Sequence, residues 1–212
     1  MRMSELSTRS GVAIATIKYY LREGLLPQGV QLAATRAAYD DSHLRRLRLI
    51  RALLEVGRLP IASIKKILDA VDDDSLPLHE LLGTAHYALS PAVEPEPGED
   101  WTLARQAADR LVDELGWAVA PGAPARDELA QALLRLRQLG LTTDLRPYAE
   151  LADRLVTEVE LPTIPLDGPR EAAVEALVLN SVLYGKAFEA LRRLAQESAS
   201  AARTANAPQS RS

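Results

Sequence analysis

The chain has 212 residues, 47% of them hydrophobic and 25% charged, which places it among ordinary globular proteins and leaves room for one large domain or two small ones. Only 4% are aromatic and none is cysteine, so the core must be aliphatic, and disulfides, thiolate metal sites, iron–sulfur clusters and thiol redox sensing are excluded. The formal charge of −4 divides unevenly: residues 1–71 carry 12 Lys and Arg against 6 Asp and Glu, whereas residues 72–212 carry 13 against 23, so only the first third suits a polyanion.

Helical periodicity covers most of the chain, and the expected fold class is mostly α. The first helix is predicted over residues 4–10, with Leu6 inward and Gly11 closing it. A second starts near Ala13, places Ile14, Ile17, Tyr20 and Leu21 on one apolar face, and ends at Gly24. Residues 27–38 lack helical spacing and read as a small ribbon or wing. A third helix opens at Asp40, Asp41 and Ser42, whose side-chain oxygens suit a cap, and aligns Leu44, Leu47, Ile50, Leu53 and Leu54 before Gly57. The fourth, over 60–71, opens on Pro60 and buries Ile64, Ile67 and Leu68. These four helices and the wing are expected to share one core, a winged helix-turn-helix domain over 1–71.

Beyond Asp72 the character changes. Residues 72–100 read as a linker that holds one short helix over 78–89 and a proline-and-acid stretch over 90–100. Helices predicted over 101–115, 125–139, 143–160 and 168–198 form an all-helical C-terminal domain, 101–199, and residues 200–212 read as a disordered tail. No apolar run approaches the roughly 20 residues of a bilayer span, so a cytoplasmic location and no membrane partner are expected.

Two short helices around a tight turn, with a polar face on the second, form the helix-turn-helix arrangement, in which the second helix enters the DNA major groove. Ala15, Lys18, Tyr19 and Arg22 lie at i, i+3, i+4 and i+7 opposite the apolar stripe, so two cations and a phenol leave one surface toward phosphates.

The run MSELSTRSGV at 3–12, then TIKYYLREGLLP at 16–27, YDDSHLRRLRLI at 39–50, EVG at 55–57 and IKKIL at 64–68 resembles the N-terminus of the mercury-resistance-regulator (MerR) family of bacterial transcription factors. The resemblance covers about one third of the chain. It implies a homodimer that grips an inverted-repeat operator in double-stranded promoter DNA, bends and untwists it, and so adjusts what RNA polymerase meets. On that resemblance Thr16, Lys18 and Tyr19 fall on the recognition helix, Arg36 and Tyr39 in or beside the first wing, and Arg58 at the start of the second. Ala13 and Ala15 depart from the family pattern: neither can cap a helix or bond a base edge through its side chain, which shifts weight to DNA shape. Pro77 and the 90–100 stretch interrupt the long helix common in the family, and the C-terminal half resembles an actinobacterial-type branch with a separate helical domain.

No catalytic constellation, phosphate loop or cofactor motif is legible, so no enzyme, metal or cofactor is expected. Trp101, Trp117, Tyr148, Tyr184 and Phe188 are the candidates for contact with an effector, which without thiolates should be an organic molecule or a protein. The expected function is that of a DNA-binding, nucleoid-associated transcriptional regulator. The alternatives are a protein-interaction or sequestration module built on the helical domain, and a small-molecule-binding C-domain tethered to DNA.

Overall fold

The computed structural model describes residues 1–33 and 36–205, without the side chains of residues 33 and 36. Helices α1 (Met3–Ser10) and α2 (Ile14–Arg22) lead into a two-stranded antiparallel ribbon, β1 (Val30–Ala33) and β2 (Arg36–Ala38), with Val30 opposite Ala38 and Gln31 opposite Ala37. Then follow α3 (Asp41–Arg51), which runs on through a wide π turn at Ala52–Val56, α4 (Ile61–Asp72) and α5 (Leu78–Leu89). The remaining helices are α6 (Glu99–Glu114), α7 (Pro124–Gln138), α8 (Arg146–Leu155), α9 (Arg170–Leu179) and α10 (Gly185–Ala205). Wide turns at Val156–Glu160 and Asn180–Tyr184 extend α8 and join α9 to α10. Mostly helical structure with a short ribbon is the expected class.

The start of α3 follows from its sequence. The Asp40 carboxylate accepts from the Ser42 and His43 amides, while His43 Nδ1 lies 3.2 Å from the Asp40 amide, which closes a capping box. The same carboxylate accepts the Ser42 hydroxyl, and with the His43 contact this holds its pKa well below the usual range.

Two apolar clusters hold the chain together, and they divide it differently from the expectation. The first contains Leu6, Ile17, Leu47, Ile50, Leu53, Ile64 and Ile67, as expected, but also Leu25, together with Leu81 and Ala85 of α5 and Val174, Leu177 and Val178 of α9. Helix 78–89, read as part of a linker, is therefore a packed wall of the first core. The start of the last long helix joins it too. The reason is burial: α3 and its π turn leave apolar surface on the side away from α1 and α2, and α9 covers it. The second cluster is a helical hairpin of α6 and α7 around Trp101, Ala104, Ala108, Ala130, Leu133 and Leu134. There Arg126, 6% exposed, donates to Asp109 at 2.8 Å and to the Val119 carbonyl at 2.8 Å, which pins the connecting loop.

The predicted disordered tail is partly corrected. Residues 200–205 complete α10, because Ala201, Ala202 and Ala205 are strong helix formers at the end of an established helix. Residues 206–212 lie outside the described residues.

Candidate nucleic-acid interface

The orientation of α2 is set from beneath. Leu6, Val12, Ile17 and Tyr20 are buried, and Gly11 closes α1 at φ 69°. The Ser7 hydroxyl donates to the Val12 carbonyl at 2.7 Å and the Val12 amide to Ser10 Oγ at 3.2 Å, so side chains lock the turn between the helices. On the outer face Ala15, Lys18 and Arg22 are exposed, whereas Thr16 and Tyr19 are half-buried. Arg22 stands 5.5 Å from the centroid of the Tyr19 ring and 3.9 Å from Glu23, so this cation is steadied by a ring and an acid while remaining at the surface. Ala13 provides no side-chain cap, which leaves the first amides of α2 available as donors.

Between the beginning of α1, the outer face of α2 and the ribbon lies an open cleft of about 870 Å³. Arg2, Ser4, Lys18, Gln28, Gln31 and Tyr39 line it, with Ile14 and Gly29 between them. Ile14 was expected to face inward and is instead 39% exposed. It occupies the first turn of α2, which overhangs the core and forms the cleft wall.

Tyr39 is the fixed element of the cleft. Its backbone pairs with Met1, its ring meets His43 edge-on at 5.1 Å, and it is 7% exposed. Burial pushes its phenol pKa above the ordinary value. Gly29 makes this packing possible. A Cβ there would stand 2.6 Å from the Ala38 carbonyl oxygen and 2.9 Å from the Tyr39 ring.

The arginines of α3 divide by role. Arg46 is buried, pairs with Asp72 and reaches the Leu68 carbonyl, so it ties α3 to the end of α4. Arg51 forks onto Glu55 with two 3.0 Å contacts and donates to the Ser10 carbonyl at 3.4 Å, bracing the helix-turn-helix. Arg58 is exposed in the turn between α3 and α4, with a left-handed backbone at φ 53°.

Of the residues expected from sequence, Lys18 and Tyr39 thus meet in one cleft, Tyr19 and Arg22 pair farther along α2, and Thr16 and Arg58 do not line the cleft. Arg36 has its backbone in β2, and its side chain lies outside the described residues. Sequence reasoning missed Arg2, Gln28 and Gln31. Their signal was position: polar side chains that flank the first helix and the wing.

The C-terminal aromatics do not converge. Trp101 is buried in the α6–α7 hairpin and Trp117 is half-buried after it, whereas Tyr148 and Phe188 line a separate groove between α8 and α10, with Tyr184 exposed and outside its lining. Among the described residues, no group of three His, Asp or Glu side chains could hold a metal ion, and no helix is long and apolar enough to cross a membrane.

An exposed cationic second helix, braced by a buried turn and flanked by a β-ribbon, defines a winged helix-turn-helix regulatory protein. Residues 1–71 match the model of the MerR HTH family regulatory proteins. The chain is 42% identical to SCO5550 from Streptomyces coelicolor A3(2), a candidate transcriptional regulator of known crystal structure, with a TM-score of 0.75 over 96% of this chain and 97% of that one. It is 34% identical over 74 residues to the HTH-type transcriptional regulator MerD of Acinetobacter calcoaceticus, and 34% identical over 73 residues to the mercuric resistance operon regulatory protein of Bacillus cereus. Those matches cover 34% of this chain in both cases, and 61% and 54% of the two relatives, so the chain spans little more than half of each. Residues 1–71 thus carry a MerR-type helix-turn-helix, and the chain as a whole is similar to a candidate transcriptional regulator.

Proposed function

We propose that the chain grips an inverted-repeat promoter operator as a homodimer, bends and untwists it, and so changes the spacing that RNA polymerase meets in the nucleoid. The observation that carries this reading is the cleft in which Lys18, Arg2 and the buried donor Tyr39 face the same space between α2 and the wing. Cations and a neutral hydroxyl donor on one concave surface suit a phosphate backbone, and the two glutamines add groups able to read base edges. With no cysteine in the chain, an effector, where one acts, is an organic molecule or a protein rather than a thiolate-bound soft metal.

The test is binding of the full chain to the DNA upstream of its own coding sequence, followed by fluorescence anisotropy over a salt series. Lys18→Ala weakens binding across sequence variants and lowers the slope of log affinity against log salt by about one. A footprint without two-fold symmetry, or a Lys18→Ala variant with unchanged affinity and slope, overturns the reading.

A further inference from the structure

Helix α2 opens on Ala13, Ile14 and Ala15, and all three are exposed. Three consecutive apolar residues at a surface cost solubility and persist where they serve a function. This run stands at the N-terminal end of α2, and in helix-turn-helix proteins it is the N-terminal residues of the second helix that contact base edges. Ile14 is its one large member, 39% exposed, and it lines the cleft with Lys18 one turn farther along the same face.

We infer that Ile14 and Ala15 read thymine through apolar contact with its C5 methyl group, and that this contact sets sequence preference in each half-site. The inference rests on the reading of an operator-binding protein and names a specificity determinant of that same surface. The chemistry of the major groove selects the methyl. The amino groups, ring nitrogens and carbonyl oxygens that base pairs present there all need a polar partner, and the thymine methyl alone is apolar. Ala13, Ile14 and Ala15 have no polar side-chain atom, so an amino or carbonyl edge pressed against them loses its water and gains no bond. The neighbours do not take over that role from the same position: Thr16 is half-buried, and the Gln28 side-chain amide donates to the Leu21 carbonyl at 3.3 Å. Charge selects DNA as the occupant. Arg2 and Lys18 line the same cleft, so whatever covers its apolar wall must also accept cations, and a duplex offers methyl groups and phosphates within one groove. Ile14 is also suited to the contact by its shape. A β-branched side chain has one strongly preferred χ1 rotamer in a helix, so it loses little freedom when it docks.

The test uses the full chain and its upstream DNA made with deoxyuridine in place of thymidine, which deletes the C5 methyl and keeps every hydrogen-bonding group of the base. Loss of one methyl contact weakens binding about fourfold, and loss of one in each half-site about 15-fold. Anisotropy is expected to show that fall with an unchanged salt slope, and 5-bromodeoxyuridine, whose bromine fills the place of the methyl, is expected to restore the affinity. Ile14→Ala is expected to bind the thymidine DNA weakly and to lose at most about twofold more when uracil replaces thymine, whereas Ile14→Val keeps most of the sensitivity. Unchanged far-ultraviolet dichroism shows both variants folded. A wild type indifferent to uracil overturns the methyl contact and leaves operator binding standing. A uracil penalty equal in the wild type and Ile14→Ala assigns the effect to DNA shape and overturns the contact as well. A wild type that does not bind the upstream DNA at all overturns both the contact and the reading on which it rests.

Discussion

At the scale of single residues, Arg58 is held against its own conformational preference. Its φ of 53° is the left-handed region that a side chain makes costly by roughly 1–2 kcal/mol, and the residue is exposed, so no contact of its own explains the position. The neighbour does. A Cβ on Gly57 would lie 2.9 Å from the Leu53 carbonyl oxygen and 3.3 Å from the Leu89 side chain, so the chain leaves α3 against α5 and must turn sharply before Leu59 returns to the core. Arg58→Gly is therefore expected to raise the unfolding free energy by about 0.5–1 kcal/mol, once the greater freedom of an unfolded glycine is subtracted, while lowering the salt slope of DNA binding by about one. Chemical denaturation and anisotropy check the two halves separately. Gly29 carries the opposite sign: Gly29→Ala forces the Ala38 carbonyl and the Tyr39 ring apart, and is expected to cost DNA affinity more than it costs stability, because Tyr39 positions the donor in the cleft.

At the scale of elements, one guanidinium adds polar contacts to the apolar packing of α9 on the DNA-binding part. Arg170 donates to the carbonyls of Ala70, Val71, Asp73 and Leu76 at 2.8–3.1 Å, so it closes the C-terminus of α4 and the turn beyond it at the negative end of that helix. Arg170→Met removes charged hydrogen bonds and strands those carbonyls. A loss of about 2–3 kcal/mol in calorimetry is expected, and Arg170→Lys recovers little because an ammonium cannot fork onto four acceptors. One turn farther, Glu175 is half-buried, and burial raises its carboxyl pKa, opposed in part by Arg48 of α3. Because the folded value is the higher, native protein binds more protons between the unfolded pKa, about 4.3, and the raised one; stability falls as pH rises through that window and is flat above it. Glu175→Gln is expected to raise the melting temperature at pH 7 and to leave it unchanged near pH 4. An equal effect at both would show that the change acts through packing. These contacts also mark what was legible. The helix-turn-helix, the cap at Asp40 and the outward Lys18 and Arg22 arise from spacing within ten residues, and sequence displays such spacing directly. The link from Arg170 to residues 70–76 crosses about one hundred positions, and no local period encodes it. For the same reason the cleft's Lys18 was visible while Arg2 was not: one stands on a helical face, the other gains its place only when the wing folds back.

For the whole molecule, the decisive property is that the family-matching residues 1–71 do not enclose their own core. Leu81, Val174, Leu177 and Val178 are all at most 5% exposed in the cluster built on Ile50, Leu53 and Ile64. Four such side chains contribute roughly 6–12 kcal/mol when buried, which is as large as the net stability of a typical domain. A fragment of residues 1–71 keeps the cationic face of α2 but loses that cover, and is expected to show no cooperative melting transition and no measurable operator affinity at a salt concentration where the full chain binds. Extending the fragment to residue 89 restores only α5. Supplying residues 164–184 as a separate peptide is expected to restore the transition, since α9 reaches the core from outside any short connection, and the melting temperature should then rise with peptide concentration as for any ligand of the native state. A 1–71 fragment that melts cooperatively within a few degrees of the full chain would show instead that α5 and α9 lean on a core that is already complete, and that the C-terminal half can move without disturbing the hold on DNA.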